Sequence, residues 1–240
     1  EFEHNQVKEY LAASFLANLS YSEIRKLAEI APNYSKIKPH WLNTIILLIS
    51  ILENSDTKTK SLVNWLVNSD PEALVRVEKD KISIDNREKI YDAIVEDYES
   101  KNIFIRNKNF DINDLVALIG DSENKLKSLI KKIWSSSSRL SILQNIIMAQ
   151  GFDDDLLHEL RHELTSTVFH LIEKPDAHYQ VVNESLILLN RLNLNSKAIT
   201  DRIVKTIDWS SSHARSGFYE YIKSSNHAED YLENLLNCIF

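Results

Sequence analysis

The chain has 240 residues, of which 43% are hydrophobic and 26% charged, and its net charge is −7 at pH 7. This balance excludes a disordered chain, and the negative charge disfavours a surface built chiefly to neutralise nucleic-acid phosphates. Only three glycines and four prolines occur, which leaves almost no turn residues for a β-sheet protein. The sequence therefore predicts an all-α fold, with serine and asparagine in the loops.

The first predicted helix carries the most specific pattern of the chain. Polar residues at positions 4 to 6 precede a stripe spaced at i, i+3 and i+4, which is typical of an amphipathic helix. The positions in this stripe are Val7, Tyr10, Leu11, Ser14, Phe15 and Leu16. Ala12, Ala13 and Ala17 are small enough to let another backbone approach closely.

This segment resembles a signature of the NACHT-type STAND NTPases, the signalling ATPases of innate immunity and bacterial phage defence. The family pattern is Phe-x-His-x-x-x-x-Glu-Tyr/Phe-Leu/Phe-Ala-Ala, and the chain has Phe2-Glu3-His4-Asn5-Gln6-Val7-Lys8-Glu9-Tyr10-Leu11-Ala12-Ala13. Val7 stands where the family usually has a bulky aromatic residue, and Lys8 stands where glutamine is common. The resemblance implies that the segment closes a winged-helix domain and opens a long helical arm. It also implies that His4 reaches toward the phosphates of bound ADP and holds the molecule inactive.

Further helices are predicted at short intervals along the chain. The apolar run from Trp41 to Leu52 predicts a buried core helix, because it is far shorter than the roughly 20 residues of a membrane span. Asp85 and Glu88 have the spacing of a capping box in front of an apolar helix. Two further helices are predicted, one starting at Asp111 or Asn113 and the other at Ser122.

Basic residues form two clusters that bear on a nucleic-acid partner. Lys125, Lys127, Lys131 and Lys132 share one predicted helix, and Lys36, Lys38 and His40 share a predicted loop. Such clusters are usually the solvated face of an element, and the interleaved aromatic residues of a single-strand platform are missing from them. A nucleic-acid partner is therefore not expected, and a helical nucleic-acid-binding scaffold stays an alternative.

Two phrases in the second half of the chain resemble each other. Both place a tryptophan, Trp134 or Trp209, before a run of serines, and the two tryptophans are 75 residues apart. Half of that spacing, about 37 residues, is the size of one helix pair in a HEAT-like or TPR-like solenoid. Each phrase predicts a helix that ends at the tryptophan and a serine that caps the next helix. The sequence therefore predicts an α-superhelix of stacked helix pairs.

One motif is typical of zinc enzymes. The residues His158-Glu159-Leu160-Arg161-His162 match H-E-x-x-H, in which two histidines one helical turn apart bind zinc and the glutamate activates a water. A catalytic site needs a third protein ligand, and Glu184 is a distant candidate for it. These residues would make the chain a zinc metallohydrolase, with Glu159 as the base.

The surroundings of the motif favour a structural interpretation. A stripe of apolar residues predicts the buried face of this helix: Leu157, Leu160, Leu164, Val168 and Leu171. His158 and His162 flank the stripe on a charged face, where histidines are usually exposed and carry no metal. No catalytic or metal-binding residue is therefore expected, and the zinc hydrolase stays an alternative.

Other sequence features limit which cofactors, disulfides and cellular locations are expected. No G-x-x-x-x-G-K-[ST] loop occurs, so the chain is not expected to hold a nucleoside triphosphate or another cofactor by itself. Cys238 is the only cysteine, which excludes an internal disulfide, and together with the lack of a signal-peptide pattern this predicts a cytoplasmic location. The apolar residues from Leu232 to Phe240 predict an end that stacks on a further domain.

The sequence thus predicts a non-enzymatic helical arm of a STAND or NACHT-type signalling or antiviral-defence NTPase. Residues 1–35 would end the winged-helix domain and start the arm, and residues 36–240 would form the HEAT-like repeat region. The resemblance implies ATP, ADP and magnesium for the parent protein, in which the arm is an autoinhibitory scaffold with a surface that could sense a ligand. The expected partners are the other domains of the parent protein, and a protein ligand or further copies of the chain on activation. No membrane partner is expected.

Overall fold

A computed structural model describes residues 2–30, 36–174, 176–223, 225 and 227–231, with side chains from residue 5 onward. These described residues form thirteen α-helices and four 3₁₀-helices. Outside the helices, the described part of the chain has an isolated antiparallel bridge between Glu29 and Ile37 and no extended strand. The predicted all-α fold is confirmed.

The chain folds into two compact units. Unit 1 comprises Glu1–Lys101 and Ile105–Ile119, and unit 2 comprises Asn102–Phe104 and Gly120–Phe240. Residues on both sides of position 35 lie in unit 1, and the domain boundary predicted there stays a prediction.

Unit 1 contains six α-helices and three 3₁₀-helices. The α-helices are α1 (Phe2–Leu16), α2 (Tyr21–Ala28), α3 (Leu42–Ile51), α4 (Thr57–Ser69), α5 (Ile84–Ser100) and α6 (Ile112–Ala117). The 3₁₀-helices are Pro39–Trp41, Pro71–Leu74 and Lys79–Lys81. α1 packs on α3, α3 on α4, and α4 on α2 and α5. α3 is the predicted core helix, since its residues Ile45, Leu48 and Ile49 are completely buried.

Unit 2 contains seven α-helices and the 3₁₀-helix Ala228–Tyr231. The α-helices are α7 (Glu123–Ser135), α8 (Arg139–Ala149), α9 (Asp154–Glu159), α10 (Arg161–Ile172), α11 (Tyr179–Arg191), α12 (Lys197–Thr206) and α13 (Ser212–Ile222). α11 packs on α8, α10 and α13, while α10 also contacts α7 and α9. α10 and α11 therefore form the centre of this unit.

The helix starts agree with the predicted capping residues in two cases and differ in a third. The side chain of Ser122 caps α7, as predicted, and of the two predicted candidates Asp111 and Asn113 it is Asp111 whose side chain caps α6. α5 begins directly after Ser83, whose backbone is extended (φ −60°, ψ 151°), so the capping box predicted for Asp85 and Glu88 is wrong. Asp85 lies inside the first turn of α5, where its charge faces the positive end of the helix dipole.

The two tryptophan phrases adopt different conformations. Trp134 lies in the last turn of α7, but α12 ends before Trp209, whose indole Nε1 donates a hydrogen bond to the Val204 carbonyl at 3.0 Å. The predicted helix end at the tryptophan is therefore right for Trp134 and wrong for Trp209. The difference arises because Asp208 closes a turn, in which its Oδ1 accepts hydrogen bonds from the backbone N–H and hydroxyl of Ser210 at 3.0 and 2.6 Å.

The serines after both phrases cap the next helix, as predicted. Ser138 accepts a hydrogen bond from the Ser141 N–H at the start of α8, and Ser211 accepts one from the Ala214 N–H at the start of α13. The stacking of helix pairs into a superhelix stays a prediction.

Some predictions concern residues that the structure does not describe. The side chain of His4, the apolar end from Leu232 to Phe240 and Cys238 lie outside the described residues. None of the helices in the described ranges combines the length and the apolar character that a membrane crossing requires.

Candidate functional site: a groove along helix α10

The H-E-x-x-H motif is divided between two helices. α9 ends and α10 begins on either side of Leu160, whose backbone has φ −96° and ψ 19°. The prediction of one helix through the motif is therefore wrong, and His158 and His162 belong to different helices. No glycine or proline marks the break. Leu157 and Leu160 are both buried, at 1% and 8% exposure, so packing in unit 2 overrides the helical periodicity.

Glu184, the candidate third zinc ligand, is engaged elsewhere. It lies on α11, where its Oε2 accepts a hydrogen bond from Gln150 Nε2 at 2.9 Å and its Oε1 accepts one from Asn183 Nδ2 at 3.2 Å. Among the described residues, no group of three or more histidine, cysteine, aspartate or glutamate side chains is placed to hold a metal ion. The described residues therefore provide no complete set of zinc ligands for the zinc hydrolase alternative.

The predicted faces of the motif region are confirmed. The apolar stripe is buried: Leu157, Leu160, Leu164, Val168 and Leu171 are all less than a tenth exposed. His158 and His162 are exposed, and so are Arg161 and Glu163 next to them. The two histidines therefore lie on the solvent side of unit 2.

This solvent side contains a groove of about 780 Å³, and unit 2 supplies all of its lining residues. α10 forms the floor with residues one turn apart, which are His162, Ser166 and His170, and Glu173 follows directly after the end of this helix. The walls come from α7, α9, α12 and the segment after α11, through Trp134, His158, Glu159, Leu194 and Arg202. The groove thus brings the predicted zinc-motif residues beside the Trp134 indole, and no sequence pattern predicted this proximity.

Trp134 is the largest exposed side chain of the groove. It is 49% exposed, and its ring stacks on the imidazole of His170 with a centroid distance of 4.4 Å and an interplanar angle of 27°. The sequence pattern identified Trp134 only as a helix end. The available sequence signal is the serine run that follows it: α7 ends at Ser135 and Ser138 caps α8, which leaves the indole exposed in the last turn of α7.

The two arginines of the groove are held in different ways. Arg161 donates one hydrogen bond, from its Nη2 to the Asn193 carbonyl, at 3.2 Å. Arg202 lies 4.1 Å from the centroid of the Phe169 ring, and its Nε donates a hydrogen bond to Glu173 Oε1 at 2.5 Å. This ion pair neutralises Arg202 locally, whereas Arg161 forms no ion pair with a carboxylate among the described residues.

The segment after α11 fixes the wall that carries Leu194. Asn193 has a left-handed backbone with φ 53°. The Leu194 N–H donates a hydrogen bond to the Leu189 carbonyl at 3.0 Å, and the Asn193 N–H donates one to the Asn190 carbonyl at 2.9 Å, which is the Schellman pattern of a helix end. The buried Tyr221 hydroxyl donates a hydrogen bond to the Leu194 carbonyl at 2.6 Å.

α1 carries the second candidate site, the residues of the family signature. Glu9 Oε1 accepts a hydrogen bond from Asn43 Nδ2 at 2.9 Å, which ties α1 to α3. Ala13 and Leu16 are completely buried, as expected for the small and apolar positions that face a neighbour. The rest of the predicted apolar stripe is exposed: Val7 at 57%, Tyr10 at 53%, Leu11 at 61% and Phe15 at 63%.

Comparison of the chain with protein families, with curated proteins and with solved structures gave no match. The resemblance of residues 2–13 to the NACHT-type signature therefore stands on those residues alone.

Proposed function

We propose that the chain is the non-enzymatic helical arm of a NACHT-type STAND signalling NTPase, in which it acts in the cytoplasm as an autoinhibitory scaffold. The observation that carries this proposal is the distribution of apolar residues around α1, the helix that bears the signature. One face of α1 is buried within unit 1, and the opposite face presents apolar side chains to solvent.

The exposed face forms one continuous stripe. Val7, Leu11 and Phe15 stand at i, i+4 and i+8, so they lie one above the other on the helix surface. A contiguous apolar patch of this kind is typical of a surface that contacts another protein domain. Position 4 precedes Val7 by about one turn of the same helix. In the proposed parent protein, the nucleotide-binding and winged-helix region covers this stripe, and the histidine at position 4 is carried toward the ADP phosphates.

Substitutions in the full-length parent protein test the proposal. Leu11→Glu should raise signalling without the trigger and lower the amount of bound ADP, because a charge in the stripe weakens the resting contact. His4→Ala should do the same through the loss of its phosphate contact. Leu11 is 61% exposed, so its substitution leaves the arm folded. Resting activity and ADP content that both variants leave unchanged would contradict the proposal.

Ile84→Glu is the matched control. Ile84 is also apolar and 47% exposed, and it lies in unit 1 but on α5. This variant should keep the resting activity of the unmodified protein. The coding sequence provides an independent test, since a Walker A motif should be encoded in frame upstream of Glu1.

A further inference from the structure

The groove along α10 contains an aromatic platform that is already oriented. The stack on His170 holds the Trp134 indole in place while about half of it stays open to solvent. Trp134 also lines a second, more apolar hollow of about 490 Å³ with Ile130 and Thr167. A planar ring from a ligand can extend this stack, and aromatic stacking of this kind accepts any flat π-system.

One end of the groove carries an arginine and two histidines. At the junction of α9 and α10, Arg161 lies beside His158 and His162, and all three side chains are exposed. The hydrogen bond from Arg161 to the Asn193 carbonyl positions the guanidinium group. Because a guanidinium has five N–H donors, others remain for a ligand. Guanidinium and imidazole groups are well suited to donate hydrogen bonds to a phosphate.

The opposite end of the groove differs in charge. There the Arg202 guanidinium is paired with Glu173 and packed on Phe169. An anion is therefore favoured near Arg161 and not near Arg202. Glu159 also lines the groove, so its carboxylate disfavours a ligand with many negative charges.

From this arrangement we infer that the groove binds a planar aromatic ring that carries a single anionic group, which is the chemistry of a nucleoside monophosphate. The ring stacks on the Trp134 and His170 pair, and the phosphate accepts hydrogen bonds from Arg161. The volume of about 780 Å³ lies within the usual range of small-ligand sites. This inference concerns unit 2 alone and does not depend on the proposed function.

Calorimetric titration of the 240-residue chain with AMP tests the inference. AMP should bind saturably to one site, and both adenosine and inorganic phosphate should bind more weakly than AMP, because each supplies only one of the two contacts. A parallel titration with a short deoxyadenosine oligonucleotide shows whether the natural ligand is a free nucleotide or part of a nucleic-acid strand. Tighter binding of AMP indicates a free nucleotide, and tighter binding of the oligonucleotide indicates a nucleotide within a strand. Absence of saturable binding for both would overturn the inference.

Single substitutions test the stacking contact of Trp134 and the phosphate contact of Arg161 separately. Trp134→Ala should weaken AMP binding by about tenfold, which is typical for the loss of one stacking contact, and Trp134→Phe should retain most of the affinity. Arg161→Ala should abolish the preference for AMP over adenosine. Tyr219→Ala is the matched control, because Tyr219 is 55% exposed on α13 and does not line the groove. Circular dichroism checks that each variant is folded. AMP affinity that Trp134→Ala leaves unchanged in a folded chain would also overturn the inference.

Discussion

Gly217 on α13 lies directly against Asn183 on α11. A Cβ atom placed on Gly217 would stand 2.6 Å from Asn183 Oδ1 and 3.0 Å from the Asn183 Cα. The missing side chain thus allows the two helices to approach this closely, and α11 in turn supports α10, the floor of the groove. Glycine is required here for its size, since the described glycines have no positive φ.

The first prediction follows from this contact. Gly217→Ala should destabilise the chain, because overpacking costs about 1–3 kcal/mol and outweighs the gain of about 1 kcal/mol in helix propensity. The Asn183 side chain can rotate away, but its Cα can move only with α11. Urea unfolding measures the change. Ser216→Ala, at the exposed neighbouring position, should stay within about 0.5 kcal/mol of the unmodified chain. A midpoint for Gly217→Ala as high as that of this control would show that the helices have room to separate.

The second prediction concerns the buried hydroxyl that holds the groove wall. Tyr221 is completely buried, and its hydroxyl contacts the Leu194 carbonyl at 2.6 Å and Thr200 Oγ1 at 3.3 Å. Tyr221→Phe should destabilise the chain by about 1–3 kcal/mol, because it leaves buried polar groups without a partner. Thermal unfolding measures the loss. Tyr219→Phe removes an exposed hydroxyl from the same helix and should have no measurable effect. Equal melting temperatures for the two variants would refute this role of Tyr221.

The third prediction uses the left-handed residue at the end of α11. Asn193 has φ 53° and an exposed side chain. Asn193→Ala should destabilise the chain by about 1 kcal/mol, because a Cβ is disfavoured in this backbone region. Asn193→Gly should be close to neutral, because glycine adopts positive φ without strain. Both values come from chemical denaturation. If alanine is tolerated as well as glycine, the Schellman end does not depend on this conformation.

The fourth prediction is a pH dependence of stability. His178 precedes α11, and its Nδ1 accepts the Gln180 N–H at 3.3 Å, which requires an unprotonated nitrogen. Burial, and then the neighbouring charges of Arg139 and His213, lower the pKa of His178 below its ordinary value of 6.5. The unfolded chain therefore takes up this proton more readily than the folded chain. The stability that His178 contributes is complete above about pH 6.5 and is lost as the pH falls toward the lowered pKa.

A variant isolates this contribution. His178→Asn keeps a side-chain acceptor at the start of α11 but does not titrate in this range. The free energy of unfolding of the variant should fall less between about pH 7 and pH 5 than that of the unmodified chain. Parallel curves for the two proteins would show that protonation of His178 does not affect folding.

The fifth prediction concerns metal content. The purified chain should contain no stoichiometric zinc, because His158 and His162 lie on different helices and the Glu184 carboxylate is bonded to Gln150. Elemental analysis measures the content directly. About one zinc per chain that disappears in His158→Ala and His162→Ala would restore the hydrolase alternative.

Sequence patterns predicted those features that depend on neighbouring residues. The scarcity of glycine and proline predicted the helices, the side chains of Asp111 and Ser122 predicted two of their starts, and leucine periodicity predicted the buried face around α10. The break at Leu160 was not predictable, because it depends on packing within unit 2 and has no local breaker residue.

The candidate sites show the same limit. The sequence shows the apolar stripe of α1, but its spacing does not indicate which of these residues face α3. Periodicity detects apolar residues without showing what covers them, and here Leu16 is buried while Phe15 is 63% exposed. The groove itself depends on α7, α9, α10 and α12 being brought together. Only the folded chain places Trp134 beside His170.

The asparagine that ends α11 also has a consequence for the denatured ensemble. A glycine at position 193 would relax the folded backbone, but it would also widen the range of conformations open to the chain before folding. Asn102 likewise has a left-handed backbone, with φ 51°. With only three glycines in 240 residues, the unfolded chain is comparatively restricted. Compared with glycine, asparagine at these two positions therefore costs some backbone strain in the folded state, but the chain loses less conformational entropy when it folds.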